Sequence, residues 1–103
     1  MITTKDDIFA IVQSKQAKLR ALGVKRLGLF GSFVRGEQKP ESDVDFLVEF
    51  EPDTKTFSNF MNVWDVLEDA VNRPVDVLTV ESLATRPCFQ KRVLKDAQFI
   101  ALR

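Results

Sequence analysis

Apolar and polar positions recur along the chain with two periods, and the switches between them mark out alternating helices and strands. Over residues 4–22, Ile8, Ile11, Val12, Leu19 and Leu22 return at helical spacing, and Lys5, Gln13, Lys15, Gln16, Lys18 and Arg20 fill the other side. Thr4 followed three residues later by Asp7 has the form of a capping box, and Gly23 has the form of a helix terminator. The pattern predicts one continuous helix. Residues 24–30, Val-Lys-Arg-Leu-Gly-Leu-Phe, predict a strand that turns wholly apolar toward its end. Gly31 breaks it, Ser32 is placed to cap a short helix, and Gly36 and Pro40 mark a loop.

Period two returns over residues 43–50. Val44, Phe46, Val48 and Phe50 define one face of a predicted strand, and Asp43, Asp45, Leu47 and Glu49 the other. Residues 56–71 predict a second long helix, with Phe57, Phe60, Met61, Trp64, Leu67 and Val71 as its apolar stripe. That stripe reads as core or as a partner interface. Residues 75–80, Val-Asp-Val-Leu-Thr-Val, predict a third strand. The remainder predicts a helical turn at Glu81-Ser82-Leu83, then a helix from about Cys88 to Asp96 with Phe89, Val93 and Leu94 inward. Phe99-Ile100-Ala101-Leu102 predicts a last short strand. The order implies an α/β (α+β) fold, a small mixed sheet flanked by helices.

Composition narrows the chemistry. The chain has 103 residues, enough for one domain over 1–103 and too few for a separate substrate-binding domain. Fifteen basic and fifteen acidic residues cancel, so no basic field favours direct nucleic-acid or membrane binding. No apolar run approaches the roughly 18 residues of a membrane span, and the acidic, polar start is unlike a signal peptide. The single cysteine, Cys88, fits a reducing cytoplasm and reads as a small buried hydrophobe. There is no histidine at all. His-based acid–base catalysis, His-activated cysteine and His-ligated zinc are thereby excluded.

Against that background the aspartates stand out. Asp43 and Asp45, one residue apart, point to the same side of an apolar strand, where each charge must be desolvated and each repels the other. Packing gives no reason for such a pair, and a divalent cation between them does. Asp76 interrupts another apolar strand; by itself it reads as a strand-end carboxylate, paired for instance with Arg73.

Gly31-Ser32-Phe33-Val34-Arg35-Gly36, followed by Ser42-Asp43-Val44-Asp45, resembles the signature of the DNA polymerase beta-like nucleotidyltransferase superfamily, in its minimal nucleotidyltransferase branch. Many members of that branch resemble antitoxin partners of HEPN-domain ribonucleases. Val34 departs from the small alanine frequent at this position in the family. The resemblance implies the polymerase beta-like fold and makes Asp76 the third carboxylate. It further implies two Mg²⁺ ions held by Asp43, Asp45 and Asp76, with Gly31 and Ser32 on the phosphates of ATP. Arg35 would neutralise phosphate or fix the loop, and Ser42 would orient the turn into Asp43. The implied reaction is transfer of AMP to a hydroxyl, a tyrosine for preference, of a partner HEPN ribonuclease toxin. Two other readings remain at this point: a non-catalytic antitoxin or scaffold, and nucleotidyl transfer to a small molecule or RNA end.

Overall fold

A computed structural model describes residues 3–100 and residue 102. Helices α1 (Lys5–Gln13) and α2 (Gln16–Ala21) lead into strand β1 (Val24–Phe30) and a short helix α3 (Ser32–Arg35). Strand β2 (Val44–Phe50), helix α4 (Phe57–Val71) and strand β3 (Val75–Thr79) follow. Helices α5 (Val80–Ala84) and α6 (Pro87–Asp96) and strand β4 (Gln98–Ile100) complete the described chain. The sheet order is β3-β2-β1-β4. β2 and β3 run parallel, whereas β1 is antiparallel to both β2 and β4. The expected mixed sheet flanked by helices is therefore the fold.

β1 and β2 are the inner strands and are covered on both faces. Leu27, Leu29, Val44, Phe46, Val48, Val75 and Val77 pack on one side with Ile8 and Val12 of α1 and with Val63 and Leu67 of α4. On the other side Phe30 and Leu47 meet Leu83 of α5 and Val93 of α6. This is why β1 reads as apolar without alternation over Leu27–Phe30. The two faces inferred for β2 are the two faces observed, with the aspartate face toward α5 and α6.

Four expectations from the pattern are corrected. The leading helix is two helices. Ser14 donates its hydroxyl to the Ile11 carbonyl and Lys15 leaves helical geometry at φ −104°, ψ 9°, so the chain bends between α1 and α2. The bend lets α1 lie on α4 while α2 lies on β1. The inner face of α4 is Val63, Leu67 and Val71, flanked by half-buried Phe60 and Trp64. Phe57 is 82% exposed and Met61 is also exposed. The slim β-branched Val63 lets the helix approach the sheet, and the larger rings are left at its flanks. Leu94 is exposed on α6, where Val93 alone is buried. Cys88 is exposed as well, in the first turn of α6 opposite the face that packs on the sheet. The expected last strand is found as Gln98–Ile100; Ala101 lies outside the described residues.

Candidate active site

The site forms where the C-terminal end of β1 meets the N-terminal ends of β2 and β3. Phe30, the last residue of β1, is in register with Asp45, and Asp45 is in register with Asp76 on the other side. Two carboxylate residues thus stand side by side on neighbouring strands. Asp43 precedes the first residue of β2 and is exposed; Asp76 is exposed and Asp45 half-buried.

Gly31 makes this arrangement possible. Its φ of 84° and ψ of −153° lie where side chains are strained. A Cβ there would overlap Asp45 Oδ2 and come within 3.1 Å of Asp45 Cγ. The turn after β1 therefore lies directly against the Asp45 carboxylate. Ser32 then opens α3, whose Val34 and Arg35 N–H groups donate to the Gly31 carbonyl at 3.1 and 3.2 Å. Phe33, 2% exposed, anchors α3 in the core.

The loop that delivers Asp43 is closed on itself. The Lys39 N–H donates to Ser42 Oγ at 2.8 Å, and the Ser42 N–H donates to the Lys39 carbonyl at 2.9 Å. The hydroxyl of Ser42 thus organises the turn into Asp43. Arg35 ion-pairs with Glu37 and, at 3.1 Å, with Asp96 of α6, which ties the end of α3 across to another element. Of the two roles open for Arg35, loop fixation is the one its contacts serve. Arg73 makes no ion pair with Asp76 among the described residues; it donates to the Ser42 carbonyl at 3.1 Å instead.

The electrostatics follow from the crowding. Burial, then the charges of Asp76 and Asp43, push the Asp45 carboxyl up to about 6, opposed only in part by Arg35. Among the described residues, no group of three or more acidic or thiol side chains is arranged to hold a metal ion unaided. Mg²⁺ characteristically takes one or two carboxylates and completes its shell with water and substrate phosphates. The hard-oxygen donors here, with charges that repel in the absence of a cation, fit such a substrate-assisted site.

Asp43, Asp45, Asp76, Gly31 and Ser32 are therefore brought to one end of the sheet, where the family resemblance had put them together. Two contributors escaped the sequence reading. Asp96 is the distant partner of Arg35, 61 residues away, and no local pattern marks it. Arg73 was visible only as a cation near Asp76 in sequence, whereas its contacts run to Ser42 and Phe33.

Carboxylates beside a Gly-Ser turn on a small mixed sheet are the arrangement that the resemblance to nucleotidyltransferases leads one to expect. The family comparison agrees: the model of the nucleotidyltransferase domain matches residues 8–100, and the chain belongs to that family. It is an enzyme of the nucleotidyltransferase class. The protein adenylyltransferase MntA of Thermococcus cleftensis is 35% identical over 98 residues, covering 94% of this chain and 96% of that protein. A toxin–antitoxin crystal structure with AMP-PNP is similar at 26% identity and a TM-score of 0.66, covering 88% of this chain and 73% of that one. The tri-AMPylated HEPN toxin of Shewanella oneidensis in complex with its MNT antitoxin contains a chain with the same fold. That chain is 21% identical with a TM-score of 0.60, and 92% of this chain and 73% of that one are covered.

Proposed function

We propose that this protein is a Mg²⁺-dependent protein adenylyltransferase that serves as an antitoxin. It transfers AMP from ATP to a hydroxyl, a tyrosine for preference, of a partner HEPN-domain ribonuclease. The observation that carries the reading is the placement of Asp45 against Gly31 and in register with Asp76, with Asp43 two residues upstream. The relative from Thermococcus cleftensis, named a protein adenylyltransferase and matched over nearly its whole length, supports it further. So does the similar toxin–antitoxin structure with AMP-PNP.

Asp43, Asp45 and Asp76 would hold the metal ions. Bound there, Mg²⁺ would polarise the α-phosphate and acidify the acceptor hydroxyl. Gly31 brings backbone close to the terminal phosphates, and Ser32 offers them its hydroxyl. The acceptor oxygen forms a bond to the α-phosphorus as the bond to pyrophosphate breaks. Asp76, exposed beside the cluster, accepts the proton that the hydroxyl loses. Arg35 and Ser42 keep the two flanking segments in place. The acceptor comes from a second protein. No helix among the described residues is long and apolar enough to cross a membrane, and the exposed thiol of Cys88 suits the reducing cytoplasm.

The test combines the purified protein with ATP, Mg²⁺ and a HEPN-domain ribonuclease from the same genome, and weighs the HEPN protein by mass spectrometry. Added AMP mass is expected with wild type, and none with the Asp43→Asn, Asp45→Asn double variant. If that variant silences the ribonuclease as well as wild type does, neutralisation is by contact and the catalytic reading of the antitoxin falls.

A further inference from the structure

The exit turn of α4 carries a residue, Arg73, whose side chain contacts two other segments that flank the site. Asn72 ends α4 in the left-handed conformation at φ 54°, and the Val44 N–H donates to the Pro74 carbonyl at 3.2 Å. The backbone on both sides of Arg73 is thereby fixed. From that base the Arg73 Nη1 donates to the Ser42 carbonyl at 3.1 Å, and the guanidinium lies 5.3 Å from the centre of the Phe33 ring.

These contacts join three strips of chain. Phe33 belongs to α3, directly after Gly31-Ser32. Ser42 is the residue before Asp43. Arg73 itself lies three residues before Asp76. We propose that Arg73 is a positioning residue for nucleotidyl transfer: it clamps the phosphate turn, the Asp43 loop and the Asp76 strand in one geometry. The inference rests on the proposed metal-holding role of these carboxylates.

Asp43 is the group most dependent on the clamp. It lies outside the ladder of β2 and is exposed, so the backbone at Ser42 sets where its carboxylate points. The Lys39–Ser42 turn fixes the shape of the loop but not its distance from β3. Among the described residues, the bond from Arg73 spans to the segment that carries Asp76 from the Ser42 side, and the Val44–Pro74 bond does so from the far side of Asp43. The residue type matters. A guanidinium is planar, can stack on a ring, and still directs an N–H to a carbonyl in its own plane. A lysine ammonium can reach the carbonyl but cannot stack in that way.

The test titrates Mn²⁺, a hard-ligand substitute for Mg²⁺, into the ATP-loaded protein by calorimetry, alongside kcat, the KM for ATP and the melting temperature. Arg73→Gln is expected to weaken Mn²⁺ binding and lower kcat by about tenfold each, the range seen when groups that orient metal ligands are removed. Arg73→Lys should fall between it and wild type. In an Asp43→Asn background, Arg73→Gln should add little to the loss of Mn²⁺ affinity, because both changes act on the same ligand.

Wild-type Mn²⁺ affinity in folded Arg73→Gln overturns the proposal. So do losses that simply multiply in the double variant, or a loss of activity that tracks the folded fraction alone. If Arg73→Gln does not fold, Arg73→Lys decides by the same readouts. The Mn²⁺ titration needs no acceptor, so a failure of transfer to the HEPN protein refutes the proposed acceptor and leaves this result standing. If wild type binds no Mn²⁺ with ATP present, the carboxylate assignment and the role of Arg73 fall together.

Discussion

The carboxylate of Asp45 occupies the space that a side chain at Gly31 would fill. A turn residue and a strand residue fourteen positions later are therefore one steric unit, and a side chain at position 31 comes at the expense of Asp45.

Gly31→Ala should damage both fold and chemistry. The new Cβ meets a strained φ of 84° and overlaps Asp45 Oδ2. A loss of about 2 kcal/mol of stability is expected from the backbone and the crowding together. Displacement of Asp45 should cut transfer at least ~100-fold, since small misplacements at a reacting centre have that effect. Urea denaturation midpoints and an AMP-transfer assay measure the two effects separately.

The raised pKa of Asp45 predicts how metal-free stability depends on pH. Its folded value of about 6 lies above the ordinary 3.8, so between the two the folded state holds more proton than the unfolded one. Stability from this group is then greatest below the ordinary value and falls as pH rises through about 6. In EDTA, Asp45→Asn should match wild type at low pH and exceed it above about 6. The excess should be about 1 kcal/mol, after allowance for the solvent screening of a half-exposed group. Thermal melts of both proteins across that range check the difference. An Asn variant that melts below wild type at neutral pH would contradict the mutual repulsion inferred here.

Arg35 opposes that rise, so Arg35→Gln should move the Asp45 carboxyl above about 6. The ion pairs to Glu37 and Asp96 are exposed at the surface, and losing them should leave the melting temperature nearly unchanged. Carboxyl carbon chemical shifts followed through a pH titration report the shift directly.

On α4, the rotation of the buried face has a simple readout. Leu67 is fully buried, and Leu67→Ala should cost about 2–5 kcal/mol. Phe57 is 82% exposed, and Phe57→Ser should stay within about 0.5 kcal/mol of wild type. Equilibrium denaturation of the two variants distinguishes this orientation from one in which Phe57 points inward.

Several features of the protein are local and therefore legible in its sequence. The capping box of Thr4 and Asp7, with Asp7 Oδ2 accepting from the Thr4 N–H at 3.1 Å, depends on residues three apart. The alternation along Val44–Phe50 and its division into an apolar and an acidic face follow from the period of a strand. The spacing of Gly31-Ser32 and Asp43-Asp45 carried the family, because a turn and a two-residue repeat survive any placement of the helices around them. Other features depend on how elements meet. Which side of α4 is buried was set by the approach of Val63 to the sheet, which the broad apolar arc of that helix left open. The bend at Ser14-Lys15 answers to two different packing partners, and the Arg35–Asp96 and Arg73–Ser42 contacts join segments far apart in the chain. The sequence by itself determined which chemical groups are present and on which local elements they sit. The tertiary structure decided their company: strand register set Asp45 beside Asp76, and a missing side chain at Gly31 let the turn close against them.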